Sequence, residues 1–234
     1  MPQDVEFLMP YGARVADQLP AAMDRHLEWA RKHGLLPSQA AVERYLFSQH
    51  VDVGAWFNPR PGEEKDLDLQ LDINGWYFLL DDSFELPAGQ SIDGSLAVCR
   101  ELIEFLHCGT THSAVTSPIA AAFTDIWRRE RAGMSHLWRQ RAAANWADYL
   151  TGNLAEEADR QVGTALDPER YLRVRRRSVG VQPLLDLREC AGPFEVPLLG
   201  WCSSHLLDMR TSTIEHIIFV NDVCSLEKMS LAVA

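Results

Sequence analysis

The sequence predicts an all-α fold in a single domain spanning residues 1–234. Three observations predict it: helix-start signals recur along the chain, apolar residues follow a helical rather than an alternating period, and seven tryptophans suit a large core. A chain of 234 residues with 47% apolar residues is long enough to build such a core. The elements amount to roughly ten helices, a helix share well above that of an average domain.

The first part of the chain is predicted to form three helices. Residues 18–33 have an amphipathic pattern that stops at Gly34, and residues 38–46 continue the helical spacing. After a loop rich in proline and glycine, Asp66 is predicted to cap the third helix. Gly75 lies inside that helix, which indicates close packing or a bend, because glycine weakens a helix interior.

The rest of the chain is predicted to be helical with breaks at glycine and proline. The predicted helices run from Asp93 to His107, from Ser117 through Trp127 to a stop at Gly133, from Ser135 through Leu150, from Asp167 to a break at Gly180, and from Pro197 to Ser230. Pro183 is predicted to extend the break at Gly180, and the last helix is predicted to be interrupted near Thr211.

Charge and cysteine usage exclude several classes of protein. A net charge of −11 disfavours nucleic acid and anionic membranes as partners. No apolar run is long enough to span a bilayer and the N-terminus lacks a signal-peptide pattern, so we expect a cytoplasmic protein. The five cysteines are scattered and have no Cys-x-x-Cys pair, so neither a disulfide framework nor a zinc site is indicated.

The main candidate site is an aromatic and apolar run, residues 76–80, that ends in Asp81, Asp82 and Glu85. Asp81 and Glu85 are four residues apart and share one face of a helix. Carboxylates placed together repel one another, and a hard divalent cation such as Mg²⁺, which prefers oxygen ligands and bridges to phosphates, removes that cost. The pattern predicts a metal-bound phosphate at the rim of an apolar pocket. A solvated helix end carrying acids is the structural alternative.

Two further polar segments are candidates for the same site. Asn221 and Ser225 lie four residues apart on one helix face and both carry oxygen ligands. Arg175, 46 residues before Asn221, precedes the break at Gly180, and arginine forms bidentate hydrogen bonds with phosphate oxygens. For at least two of the arginines at 173 and 175–177, a solvated basic face is the structural interpretation.

Together these segments resemble the bacterial class I terpene synthases, in particular the small monoterpene and sesquiterpene synthases of the cineole and linalool/nerolidol type. The Asp-rich motif of that family is similar to residues 81–85, its second metal motif to Asn221, Asp222 and Ser225, and its diphosphate-sensing arginine to Arg175. Residues 66–69, 75–79 and 131–135 also resemble these enzymes, so the resemblance covers nearly the whole chain.

The resemblance implies a helical bundle around an apolar cavity that ionises a prenyl diphosphate, geranyl or farnesyl diphosphate, with three Mg²⁺ ions. It implies metal ligands at Asp81, Asp82, Glu85, Asn221 and Ser225. It implies that Arg175 and Arg176 contact the diphosphate and that the backbone carbonyl near Ser178 and Val179 assists ionisation. Phe78 is the first candidate to stabilise a carbocation, followed by Trp56, Phe57 and Tyr77.

Two features depart from the family pattern. The last metal ligand of the second motif falls at Met229, and a thioether is a poor ligand for Mg²⁺. Glu227 does not replace it, because it points away from the face that carries Asn221 and Ser225. The chain stops at Ala234 and has no Arg-Tyr pair after Asn221, so we expect a domain that lacks the last C-terminal helices of the family.

Three other functions remain as alternatives. A chain-elongating prenyltransferase shares the fold but normally carries two Asp-rich motifs. A non-catalytic or impaired helical binding protein would follow from the change at Met229. A helical metal hydrolase is disfavoured, because none of the eight histidines forms a His-Asp pair or a His-x-x-x-His spacing in the sequence. The expected partner is a small-molecule prenyl diphosphate, and a homodimer is compatible with the sequence.

Overall fold

The computed structural model describes residues 16–47, 64–84, 92–109, 117–163, 167–192 and 194–231, and within these ranges it contains ten helices and no strand. The helices are α1 (Leu19–Lys32), α2 (Gln39–Phe47), α3 (Glu64–Phe84), α4 (Asp93–Cys108), α5 (Pro118–Glu130), α6 (His136–Val162), α7 (Pro168–Ser178), α8 (Val181–Cys190), α9 (Leu198–Trp201) and α10 (Ser204–Leu231). The predicted all-α class is confirmed. Each of these helices is too short or too polar to cross a lipid bilayer.

Three of the predicted helix starts have the expected side-chain caps. The hydroxyl of Ser117 accepts a hydrogen bond from the Ala120 amide at 3.1 Å, and Ser135 caps α6 in the same way. The Asp167 carboxylate accepts the amides of Glu169 and Arg170 at 3.1 and 3.0 Å. These contacts satisfy backbone donors that have no partner inside a helix.

Three details of the sequence prediction are wrong. Asp66 is not a cap, because α3 already includes Glu64. Pro183 lies in the first turn of α8 rather than in the break, and its missing amide hydrogen costs no helical hydrogen bond there. The last helix continues through Thr211 and is preceded instead by a break at Ser203, whose hydroxyl accepts the amide of Leu206 at 3.3 Å.

Helix α3 is the centre of the bundle, because it is buried on nearly all sides. Its Leu67 and Leu71 pack with α1 and α2, while its Trp76 and Leu80 join the largest cluster, built with α4, α5 and α6. Polar side chains of α3, among them Gln70, Asp72 and Asn74, are buried together with its apolar ones. At its C-terminal end α3 leaves the core, and Asp81 and Asp82 lie at the surface.

Aromatic rings fill the space between α3, α5 and α6. Trp146 contacts the rings of Trp76, Tyr77 and Phe123, with centroids 5.7, 5.4 and 5.0 Å away. Its indole nitrogen donates a hydrogen bond to a buried carboxyl oxygen of Glu130 at 2.9 Å, and burial raises the pKa of Glu130 to about 8. Four of the seven tryptophans are fully buried core residues, Trp76, Trp127, Trp138 and Trp146.

A second buried contact joins α1, α2, α3 and α5 through polar groups. The Nδ1 atom of His26 lies 2.8 Å from Asp72 Oδ1, and its Nε2 atom lies 2.7 Å from the Tyr45 hydroxyl. Arg129 donates to the other oxygen of Asp72 at 2.7 Å. The structure therefore contains a His-Asp pair that the sequence spacing did not reveal, since its two members are 46 residues apart on different helices.

Gly75 makes this polar contact sterically feasible. A Cβ atom at this position would lie 2.1 Å from the Tyr45 hydroxyl and 2.5 Å from His26 Cε1. Both distances are far below van der Waals contact, so a larger residue would displace the two rings that hold α1 and α2 against α3. The close packing predicted at Gly75 has this physical cause.

We expect Gly75→Ala to destabilise the fold by about 1–3 kcal/mol, because overpacking a filled core costs that much. For a domain of this size the melting temperature should fall by about 3–10 °C in thermal unfolding followed by circular dichroism. The matched control is Gly94→Ala in α4, where a Cβ meets no atom within 4 Å. Equal melting temperatures for the two variants would contradict the packing argument.

Candidate active site

The C-terminal end of α3 presents the first acidic surface. Asp81 and Asp82 are exposed, whereas Leu80 and Phe84 on the same turn are buried. Carboxylates at a helix C-terminus face the negative end of the helix dipole, which disfavours each by about 0.3–1 kcal/mol. The arrangement therefore favours a bound cation. One cationic group already lies there, since Arg160 of α6 donates to the Phe84 carbonyl at 2.9 Å.

The break between α7 and α8 lies directly against α3. Gly180 has φ +76°, a left-handed conformation that favours glycine. Its carbonyl accepts a hydrogen bond from the Tyr77 hydroxyl at 3.1 Å. Tyr77 is four residues before Asp81, so the two side chains are on one face of α3. The helix break is thereby fixed one turn away from the first acidic residue.

Gly152 of α6 allows the end of α7 to approach closely. A Cβ atom there would lie 2.7 Å from Arg177 Cβ and 2.9 Å from both the Arg177 carbonyl carbon and the Ser178 amide nitrogen. Two of these atoms belong to the backbone and cannot be moved by a change of rotamer. The distance between α6 and the helix break is therefore set by the absence of a side chain at this position.

Arg175 is the central charged group of the site. One of its terminal nitrogens, NH1, donates to Glu156 of α6 at 3.2 Å and to the Ser178 hydroxyl at 3.4 Å. The other, NH2, donates to Asp222 at 2.7 Å and to the Asn221 side-chain oxygen at 3.2 Å. Burial alone would lower the pKa of Arg175, but Glu156 and Asp222 outweigh burial, so the pKa is raised.

The neighbouring arginines and Tyr171 have different partners. Tyr171 donates its hydroxyl hydrogen to the second oxygen of Asp222. Burial, followed by this hydrogen bond, raises the pKa of Tyr171 to about 12. Arg176 donates to Glu215 at 2.9 Å, and Arg177 donates to Asp148 at 2.6 Å. The three adjacent arginines thus bind four different acidic side chains, two of which bind Arg175.

The acidic end of α3 and the arginine site are electrostatically connected through Tyr149. This side chain is completely buried, and its pKa is raised well above the usual value, first by burial and then by the negative charges of Asp81 and Glu156. Glu156 is the residue that contacts Arg175. The buried Tyr149 is therefore affected by the charge of Asp81 and by that of a carboxylate that binds Arg175.

The remaining predicted site residues are placed as follows. Phe78 and Val179 are half-buried, Ser178 is buried, and Tyr77 belongs to the aromatic core. Trp56, Phe57 and Glu85 lie outside the described residues, and the structure describes the backbone but not the side chains of Ser225 and Met229.

Four residues that the sequence reasoning missed hold the site together: Gly152, Glu156, Arg160 and Tyr171. Only Tyr171 had a usable signal in the sequence, because it lies four residues before Arg175 and so shares its helix face. The other three act across helices whose packing the sequence pattern does not specify.

The donor set fits a hard divalent cation. The side chains of Asp81, Asp82 and Asn221 offer only oxygen ligands, or oxygen together with an amide nitrogen, which suits Mg²⁺ rather than zinc or copper. Asn221 already directs its oxygen towards a cation, the guanidinium of Arg175. Within the described ranges no three His, Cys, Asp or Glu side chains are grouped closely enough to hold a metal ion, and Glu85 lies outside those ranges.

A cavity of about 590 Å³ lies elsewhere, between α6 and the segment that leads into α9. Its lining includes Trp138, Arg141 and Trp201, and the Arg141 guanidinium stacks 3.8 Å above the Trp201 ring. None of its lining residues belongs to the predicted site.

Comparisons with known proteins identify the family of this chain. Residues 72–229 match the model of terpene synthase family 2, C-terminal metal binding. R-linalool synthase from Streptomyces clavuligerus is 43% identical over 226 residues, which are 97% of this chain and 68% of the relative. Pentalenene synthase from Streptomyces avermitilis is 37% identical over 231 residues, 97% of this chain and 67% of that enzyme.

Solved structures show the same fold. The crystal structure of linalool/nerolidol synthase from Streptomyces clavuligerus has a TM-score of 0.88 and 42% identity, and the match covers 95% of this chain and 73% of that one. The fold and the metal-binding family define the class of protein, a lyase of isoprenoid biosynthesis. The chain belongs to the bacterial class I terpene synthases.

We expect Gly152→Ala to reduce turnover of a prenyl diphosphate by about tenfold, because displacement of catalytic groups by a fraction of an ångström is costly. Product formation should be measured by gas chromatography well below the melting temperature, so that unfolding does not contribute. Gly94→Ala, which meets no neighbour, is the control and should retain full turnover. A Gly152→Ala enzyme as active as this control would show that α7 need not lie so close to α6.

Proposed function

We propose that the protein catalyses the Mg²⁺-dependent ionisation of geranyl or farnesyl diphosphate to a carbocation that yields a monoterpene or sesquiterpene. The observation that carries the proposal is the position of Arg175. It lies at a helix break and contacts the Asn221 segment, while its partner Glu156 and the exposed Asp81 both raise the pKa of the buried Tyr149. An anion between these helices would be surrounded by oxygen ligands for metal ions and by one guanidinium.

The metal ligands proposed are those of the two oxygen-rich segments: Asp81, Asp82, Glu85, Asn221 and Ser225. Three Mg²⁺ ions would neutralise the diphosphate and stabilise its charge as it departs. The role of the protein would be to supply these oxygens, which Mg²⁺ prefers as ligands, beside the bound diphosphate. Asp81 and Asp82 are both exposed at the C-terminal end of α3.

Charged and polar groups at the helix break bind the leaving group. Arg175 would donate to the diphosphate, with Arg176 next to it, and the backbone carbonyl near Ser178 and Val179 would assist ionisation. During ionisation the allylic carbon–oxygen bond breaks and its electron pair leaves with the diphosphate. Preorganised positive charge stabilises the anion that forms, which is the principal electrostatic contribution in reactions of this kind.

Aromatic side chains are proposed to surround the carbocation. Phe78 is half-buried and lies one turn before Asp81 on the same side of α3, which places it below the metal ligands. Trp56 and Phe57 are further candidates. Tyr77 belongs to the aromatic core, and its ring would act from the base of the site. Each ring face can stabilise a cation by about 0.5–2 kcal/mol. Loss of a proton or capture of water completes the reaction.

Two relatives support the choice of substrate. The linalool/nerolidol synthase from Streptomyces clavuligerus has been crystallised in complex with 2-fluorogeranyl diphosphate, and this chain matches that structure with a TM-score of 0.86. A β-caryophyllene synthase from Saccharothrix espanaensis, 34% identical over 231 residues, is named as cyclising farnesyl diphosphate. Both substrate lengths are therefore proposed for this chain.

Asp81→Asn should lower Mg²⁺-dependent diphosphate release by about 100-fold, because one metal ligand loses its charge. Release of diphosphate and formation of terpene should be measured together, with geranyl and farnesyl diphosphate as substrates and with chelation of Mg²⁺ as a further test. Asp24→Asn, an exposed acid on α1, is the matched control and should behave as the parent protein. Full turnover by Asp81→Asn would remove this residue from the proposed site.

Met229→Glu should lower the Mg²⁺ concentration required for half-maximal turnover, by about threefold or more, because it adds a carboxylate to the face of α10 that carries Asn221 and Ser225. The measurement is a titration of activity with Mg²⁺. Met229→Gln, which has the same shape without the charge, is the control. An unchanged Mg²⁺ requirement in Met229→Glu would show that this position does not face the metal ions.

A further inference from the structure

We propose that Tyr171 and Asp222 are positioning residues that hold Arg175 in the orientation needed to receive the diphosphate, and that Asp222 serves this purpose instead of binding metal. The inference rests on the proposed function, because it concerns the same anion site. It follows from the way in which one carboxylate is shared by two donors of the neighbouring helix.

The carboxylate of Asp222 has both oxygens engaged by α7. Its Oδ1 atom accepts from Arg175 NH2 at 2.7 Å, and its Oδ2 atom accepts from the Tyr171 hydroxyl. Tyr171 and Arg175 are four residues apart, so both point from the same face of α7 towards α10. Both oxygens of Asp222 are therefore already bound by protein donors, whereas its neighbour Asn221 has an amide oxygen with a longer contact of 3.2 Å.

The hydroxyl of Tyr171 controls how Asp222 binds the arginine. Arginine and a free carboxylate prefer a bidentate pair, in which two N–H groups bind two oxygens. Because Tyr171 donates to Oδ2, Asp222 accepts from Arg175 through Oδ1 alone, and the other contacts of the guanidinium are made to Glu156, Ser178 and Asn221. The longer contacts of Arg175, at 3.2 Å to Asn221 and 3.4 Å to Ser178, are those that an anionic oxygen would replace.

The opposite side of the guanidinium is fixed by Glu156 on α6 at 3.2 Å. The arginine side chain is 14% exposed and lies between carboxylates from two helices, so most of its rotamer freedom is already lost before a ligand arrives. A diphosphate then binds an arginine side chain that is already ordered, so binding does not include the loss of side-chain conformational entropy. Tyr171 thus helps to hold the guanidinium of Arg175 in place, while its longer contacts to Asn221 and Ser178 can be replaced by an anion.

The test uses Tyr171→Phe and Asp222→Asn, separately and combined, in the full chain. We expect Tyr171→Phe to lower kcat about tenfold with little change in KM, since a bidentate Arg175–Asp222 pair weakens contact with the departing anion more than with bound substrate. The kcat of the double variant should be no lower than that of the more impaired single variant, because both substitutions disrupt the same shared contact. Arg173→Ala, an exposed residue of the same helix, is the control and should leave kcat unchanged.

Two further measurements separate this inference from its alternatives. NMR spectra of labelled arginine should show restrained guanidinium signals for Arg175 in the ligand-free parent protein, and Tyr171→Phe should shift them. A parent protein that shows these signals but turns over neither prenyl diphosphate would contradict the proposed function and leave the positioning inference supported. If Asp222→Asn raises the Mg²⁺ requirement while Tyr171→Phe changes neither kcat nor the Arg175 signals, then Asp222 is a metal ligand and the inference is wrong.

Discussion

The arrangement of the site depends on one buried cation, the guanidinium of Arg175. Three helices, α6, α7 and α10, meet at this group through Glu156, Asn221 and Asp222. In a chain with a net charge of −11, two carboxylates brought this close would repel one another without it. The same positive charge that joins the helices is available to an incoming anion, so the contact that holds the site together is also part of its chemistry.

Glycine determines how closely the supporting helices approach this cation. At Gly152 the backbone of α7 comes within the space that a side chain of α6 would fill, and at Gly180 the chain turns under the ring of Tyr77. These two positions set the location of the break between α7 and α8. Rigid helices with small residues at their crossings can fix a catalytic group more precisely than a loop can.

Helix caps and breaks could be predicted from the sequence, whereas contacts between distant segments could not. The caps at Ser117 and Asp167 and the break at Gly180 depend on residues within a few positions of one another, and all three were predicted correctly. The predicted interruption near Thr211 was wrong, because a threonine inside a long helix can stay helical when neighbouring turns remain packed. Thr213 in the same helix shows how a threonine hydroxyl is accommodated there, since it donates a hydrogen bond to the Met209 carbonyl at 2.8 Å.

The contacts that the sequence could not supply join distant segments. His26 and Asp72 are 46 residues apart, and Trp29 reaches Asp125 across 96 residues. Periodicity shows that each helix has an apolar side but not which polar residue will meet which across the interface. For the same reason Glu156, 19 residues before Arg175, was not recognised as its partner. The terpene synthase motifs identified the chemistry, and the packing of α6 against α7 identified the residues that support it.

Gly75 has one further consequence for the geometry of α3. The His26 and Tyr45 rings packed against it hold this helix against sliding along its axis, and Asp81 follows Gly75 by six positions. Inserting one residue between them would turn every later side chain by about 100° and advance it by about 1.5 Å. The carboxylates would then face the core or the wrong neighbour. The number of residues between Gly75 and Asp81 therefore cannot change without misplacing the carboxylates. Chimaeras between relatives should have their junctions outside this segment of α3.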